Sequence, residues 1–257
     1  MLRRRVIPSL LLRNGGLVKT TRFSDPKYVG DPINAVKIFN EKEVDELFLF
    51  DITASRERRR PNFKLIEEIV SEAFMPVAYG GGVRTFEDAR TLLSLGVEKI
   101  ALNTAALEGL SLVTELKNHF GAQCVVGVVD VKKRLFGGLA VHAHAGVKTP
   151  AADPVEWAQR LVGAGVGEIL LQSVDRDGTM SGFDLELIRS FDGALQVPLV
   201  AAGGAGSLEH MKAALGACRL SGLAVGARFV YQGPSRGVLI NYLNPRELAE
   251  LQMVPAG

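Results

Sequence analysis

Residues 76–104 read PVAYGGGVRTFEDARTLLSLGVEKIALNT. Two short apolar runs, PVAYG and KIALNT, flank the amphipathic stretch TFEDARTLLSLG, in which Thr85 stands as an N-cap and Gly96 near the end. Such alternation is the sequence sign of a strand, a helix and a second, parallel strand. The glycine-rich turn between the first strand and the helix is where a βα unit carries its functional groups.

The same alternation extends in both directions. RVIPSLLL, ELFLFDI, CVVGVVDV, EILLQSV, PLVAAG and GLAVGA complete a set of eight candidate strands. DPINAVKIFNEK, DPVEWAQRLVGAG and SLEHMKAALG read as helices, with Asp153 and Ser207 as N-caps and Gly165 near an end. Eight βα units in 257 residues predict an α/β fold, a (β/α)8 TIM barrel formed by residues 1–257 as a single domain. A shift of 122 positions superimposes Asp31-Pro32 on Asp153-Pro154, Glu46 on Glu168, Pro76 on Pro198, Gly81-Gly82 on Gly203-Gly204 and Glu87 on Glu209. The barrel therefore reads as two duplicated half-barrels, about residues 1–122 and 123–245. Two irregularities interrupt the pattern: NGGLVKTTRFSDPKYVG, read as a loop, and KKRLFGGLAVHAHAGVK, read as a hairpin.

Composition narrows the partners. Thirty basic and 28 acidic residues are mixed along the chain and leave a net charge of +2, which gives no reason to expect nucleic acid. No stretch approaches the ~18 apolar residues of a membrane span. The opening MLRRRVIPSLLLR is interrupted by Pro8 and Arg13 and has no cleavage site of a secretory signal. Two cysteines, Cys124 and Cys218, make no disulfide framework and read as reduced thiols, with Cys124 buried. A cytoplasmic protein acting on small molecules is expected.

Two pseudo-symmetric turns, YGGGVRTFED and AAGGAGSLEH, have the character of phosphate cradles. Glycine lets backbone N–H groups approach an anion, and helix N-termini add a positive dipole end. Asp51, Asp130, Asp175 and Asp177 follow strands and are candidates for proton transfer. The segment DRDGT reads equally as a self-paired turn with Arg176 in salt bridges. His142 and His144 share a strand face, but no partnering carboxylate is in view and no metal or other cofactor is expected. His119 and His210 fall on helices as solvent-facing residues, and Trp157 as core. Arg5, Glu46, Lys99 and Glu168 stand at strand starts, where solvated charges stabilise the lower face of a barrel.

GDPINAVKIFNEKEVDELFLFDITAS, YGGGVRTFEDARTLLSLGVEKIALNTAA, SVDRDGTMSGFDLELIR and AAGGAGSLEH together resemble the cyclase subunit family of imidazole glycerol phosphate synthase, over about residues 1–231. In that family a glutaminase passes ammonia through the barrel to a bisphosphate substrate. The resemblance implies one phosphate site at Gly82, Asn103 and Thr104, and another at Asp177, Gly178, Gly204, Gly226 and Ala227. It implies that Arg5, Glu46, Lys99 and Glu168 form a charged ring gating ammonia, with a glutaminase subunit docked at the N-terminal face. Asp130 matches one of the two catalytic aspartates.

At the position of the other aspartate stands Leu11, which can neither accept nor deliver a proton. Gln172 and Ala202 also replace hydroxyl residues usual in the family, and the ending ARFVYQGPSRGVLINY departs from its usual one. Together with LLLRNGGLVKT, these features resemble a paralogous branch associated with surface-polysaccharide genes. That likeness implies ammonia supply, with a sugar amidotransferase, for acetamidino-sugar synthesis. A histidine-pathway cyclase that tolerates Leu11, and a non-catalytic scaffold that binds phosphate, are the alternative readings.

Overall fold

The structure is a computed structural model that describes residues 3–134, 137–143, 153–233 and 235–255. Its strands are β1 (Arg5–Arg13), β2 (Gly16–Thr21), β3 (Ser24–Gly30), β4 (Leu47–Asp51), β5 (Val77–Gly80), β6 (Lys99–Leu102), β7 (Val125–Lys133), β8 (Leu139–Val141), β9 (Glu168–Ser173), β10 (Leu199–Ala202), β11 (Gly222–Val225), β12 (Tyr231–Gln232) and β13 (Gly237–Val238). Eight of them, β1, β4, β5, β6, β7, β9, β10 and β11, pair in parallel, and β11 returns to β1 from Arg5↔Gly222 to Pro8↔Val225. The sheet is closed, as the βα alternation predicts, and no barrel strand is left as an edge.

Helices α1 (Pro32–Glu41), α2 (Phe63–Ser71), α3 (Phe86–Ser94), α4 (Thr104–Glu108), α5 (Ser111–Phe120), α6 (Pro154–Ala164), α7 (Leu185–Ser190), α8 (Leu208–Leu215), α9 (Ala227–Val230) and α10 (Pro245–Gln252) follow the strands. Side-chain caps start them where the sequence places them. Asp31, Asp153 and Ser207 accept from the first turns of α1, α6 and α8, and Thr85 forms a reciprocal capping box with Asp88 on α3.

Two apolar layers result. One lies between strands and helices and contains Leu10, Leu12, Tyr79 and Trp157. The other fills the barrel interior with Ile7, Phe48, Ala78, Val126, Val128, Leu170, Val200 and Ala224. Successive side chains of a strand point to opposite faces, so Leu10 and Leu12 go outward into the helix layer and half-buried Leu11 turns towards the barrel mouth.

Residues 14–30 are not the loop expected of them. Asn14 and Gly15 both take positive φ, +52° and +82°, which is the two-residue hairpin turn favoured by Asn-Gly. β2 therefore folds back on β1 with Leu11 opposite Val18, and β3 pairs with β2. The second irregularity does form a hairpin: β7 continues to Lys133 and pairs with β8, Val131 opposite Val141. Cys124 precedes β7 in a short 3-10 turn and is half-buried rather than core, with its Sγ donating to the Phe120 carbonyl. His210 is half-buried, not solvent-facing, whereas His119 is exposed.

Candidate functional site

At the base of the barrel, four strand-start residues close a ring of alternating charge. The Arg5 guanidinium donates to Glu46 and Glu168, while Lys99 Nζ lies 2.7 Å from Glu46 Oε1 and 2.9 Å from Glu168 Oε2. Both carboxylates are buried, and each is held by both cations. Burial alone would lower the Arg5 pKa; hydrogen bonds and charge from Glu168 and Glu46 more than reverse this and raise it. Above the ring stands the apolar interior, with Phe48 fully buried. The four residues separated by up to 163 positions in sequence thus form one structure.

At the opposite end, a cavity of about 190 Å³ opens at the C-terminal ends of the strands. Its floor includes Leu11, Phe50, Ala101, Val128, Leu170 and Ala224, and its polar wall includes Asn103, Asp130 and Gln172. Asp130 is buried on β7, and its Oδ2 accepts from Asn103 Nδ2 at 2.7 Å. The carboxylate is thus held at the cavity wall.

The residues expected to hold phosphate fall in different places. Thr104, Gly178, Gly204, Gly226 and Ala227 line the cavity. Gly81 lines it in place of Gly82, whose N–H instead donates to Ser55 Oγ at 3.2 Å. Gly82 is pressed against the next loop, so that a Cβ there would lie 2.6 Å from the Arg59 carbonyl. Asn103 lines the cavity with its amide already engaged by Asp130. Asp177 also lines it, but its carboxylate pairs with Lys19 Nζ at 2.7 Å and accepts from Thr20 Oγ1 at 2.8 Å. Its own N–H is taken by the Ser173 and Val174 carbonyls.

The remaining acidic candidates are held by local contacts, although Asp51 also lines the cavity. Asp51 receives Thr53 N–H, Ala54 N–H and a forked pair of bonds from Arg59, which fixes the loop after β4. Asp175 accepts the backbone N–H of Lys133 and so ties the β7 extension to the loop after β9. Arg176 bonds to Ser181 Oγ and to no acid among the described residues. His142 follows the end of β8 rather than lying on the strand, with its ring centroid 6.1 Å from that of Phe23, and His144 lies outside the described residues. Among the described residues no cluster of three or more His, Cys, Asp or Glu side chains could hold a metal ion. Nor does any described helix have the length and apolarity to cross a membrane.

Lys19, Thr20, Ser55 and Arg56 line the cavity although the sequence reading did not single them out. Two signals point to them. The Asn14-Gly15 turn brings β2, and with it Lys19, back over the barrel mouth. Ser55 stands 122 positions before Asp177, its counterpart in the internal repeat.

A closed parallel barrel with its cavity at the strand C-termini defines the class: a (β/α)8 barrel of the enzyme type. Residues 5–235 match the family described as "Histidine biosynthesis protein", and the chain belongs to that family. It is 51% identical over 248 residues to the "Putative imidazole glycerol phosphate synthase subunit hisF2" of Pseudomonas aeruginosa, covering 96% of this chain and 99% of that one. It is 47% identical to the "Putative imidazole glycerol phosphate synthase subunit hisF3" of Vibrio vulnificus, covering 96% and 95%. A Leptospira interrogans protein, "Putative imidazole glycerol phosphate synthase subunit HisF", is 45% identical, covering 95% and 96%. The chain is thus a member of the lineage of cyclase-like barrels, a lyase-type enzyme family.

Proposed function

We propose that this barrel is the ammonia-accepting synthase subunit of a glutamine-dependent amidotransferase that has left histidine-pathway cyclisation for acetamidino-sugar synthesis in the cytoplasm. The observation that carries the reading is Leu11 on the cavity floor, in a barrel whose base holds the ring of Arg5, Glu46, Lys99 and Glu168. A glutaminase subunit would dock at that base. Opening the ring requires Arg5 and Lys99 to release the two carboxylates, after which ammonia meets the apolar layer of Ile7, Phe48, Ala78, Val126, Leu170 and Val200. It emerges beside Asp130, the candidate acid–base group, held by Asn103. Asp51 and Asp177 are committed to Arg59 and Lys19. The phosphate-bearing substrate, or a docked sugar amidotransferase, receives the ammonia at the C-terminal face.

A second reading, the imidazole glycerol phosphate synthase cyclase of histidine biosynthesis, is favoured by the names of the relatives. One experiment separates the two: turnover of the histidine-pathway bisphosphate at saturating ammonium by the native protein and by Leu11→Asp. The preferred reading expects no turnover by the native protein; native turnover overturns it in favour of histidine synthesis. Loss of glutaminase stimulation on mixing with the partner subunit would overturn both and leave a phosphate-binding scaffold.

A further inference from the structure

The first of the two cradles lacks the donors that its glycine turn suggests. Gly82 N–H is directed to Ser55 Oγ and Asn103 Nδ2 to Asp130. Helix α4, which starts at Thr104, has five residues, too few for a substantial end dipole. A phosphate dianion placed beside Gly81, Ser55 and Thr104 therefore meets no full positive charge on that turn itself.

The lining supplies one. Lys19 and Asp177 neutralise each other, and Arg59 neutralises Asp51. Of the basic side chains on the cavity lining, Arg56 alone is without an ion pair among the described residues. It follows Ser55 on the loop that packs against Gly82, which places it on the side of the first cradle. The loop is held from behind by the Asp51–Arg59 fork, so Arg56 projects from a fixed base. Of the other arginines on the loop, Arg59 pairs with Asp51 and Glu57 and Arg60 with Asp88, while the exposed Arg58 stands off the cavity lining.

We propose that Arg56 is the anion-selecting residue of the first cradle, gripping a phosphate monoester through its guanidinium while Ser55 and Thr104 hydroxyls complete the contact. The inference deepens the reading of the cavity as a phosphate site and rests on it. The two ends of the cavity then bind anions differently. At the second cradle Lys19 reaches the ligand already paired to Asp177; at the first an unpaired, planar fork faces it. Guanidinium suits the tetrahedral edge of phosphate better than an ammonium does, so lysine is an incomplete substitute.

The test is titration of the isotope-labelled protein with inorganic phosphate, followed through the backbone amide resonances of Gly82 and Thr104 at the first cradle and of Gly204 and Gly226 at the second. Arg56→Ala is expected to weaken the response at Gly82 and Thr104 about tenfold, the effect of one lost charge-assisted contact, and to spare Gly204 and Gly226. Arg56→Lys should recover part of the loss. Arg58→Ala, which removes the same charge from a side chain that is exposed like Arg56 but lies off the cavity lining, should leave both sets within about twofold of the native protein. Equal weakening by the Arg56 and Arg58 variants would mean a general surface field and overturn the proposal. An unchanged first-cradle response in Arg56→Ala would overturn it while leaving the phosphate site standing. No response of Gly82 and Thr104 in the native protein would overturn both.

Discussion

Lys19 Nζ lies 2.7 Å from Asp177 Oδ1, and each side chain is less than a tenth exposed. With Thr20 bonded to the other carboxylate oxygen, this pair fastens the β2–β3 hairpin to the loop after β9. Removing one partner of a buried pair leaves an uncompensated charge, whereas removing both leaves none. Lys19→Met is therefore expected to cost about 3–5 kcal/mol in urea denaturation. The double variant Lys19→Met/Asp177→Leu should be the more stable of the two, and the reverse order would refute this account.

The basal ring makes a different prediction. Arg5→Met leaves Glu46 and Glu168, both buried, to share Lys99 alone. A loss of about 3 kcal/mol is expected. Because the pairs are largely removed from water, the loss should differ little between low and high salt, unlike that of a surface pair. Urea midpoints at two ionic strengths decide the point.

Asp88 carries a pH signature. Its burial pushes the carboxyl pKa up, but hydrogen bonds from Arg60, Thr85 and Arg84, with the charge of Arg60, outweigh that and leave it below the ordinary value. A carboxyl depressed in the folded state adds stability that is complete above the unfolded pKa, about 4, and is lost as pH falls through the lower folded value. Asp88→Asn should thus be less stable than the native protein at pH 7, and the gap should close below about pH 4. Thermal unfolding of both proteins across that range measures it.

Gly204 sits at φ +104°, and a Cβ there would fall 2.1 Å from the Gly182 carbonyl oxygen. Gly204→Ala combines a strained backbone with a clash against main chain that has no flexible end to yield. A loss of about 2–3 kcal/mol is expected, with local displacement of the second cradle. Gly15→Ala also has φ +82° but meets nothing within 4 Å, so it should cost less. Comparing the two separates conformational strain from collision.

Much of this architecture is legible in residues 76–104 and their repeat. Thr85, Asp153 and Ser207 cap the helices that periodicity marks out, and the apolar runs become the barrel strands. Residues 14–30 are harder to read, because only Leu17, Val18 and Val29 become buried apolar anchors while Phe23 and Tyr28 stay outside the core, and a hairpin lying over a cavity mouth need not alternate cleanly. The Asn14-Gly15 turn was the legible sign. Asp51 and Asp177 illustrate a second limit. A carboxylate at a strand end has the same one-letter code whether it faces a ligand or accepts a structural cation, and Arg59 and Lys19 decide that only in three dimensions.

By itself the sequence determined the order of the barrel's strands, the helix starts at Asp31, Thr85, Asp153 and Ser207, and the alternation that turns Leu10 and Leu12 outward and Leu11 inward, because these depend on backbone periodicity and local hydrogen bonds. Tertiary structure decided which charges neutralise one another. Closing the barrel brings Arg5 to Glu168 and folding the hairpin brings Lys19 to Asp177, so the pairings that leave Arg56 without an ion pair among the described residues come from contacts no local rule contains.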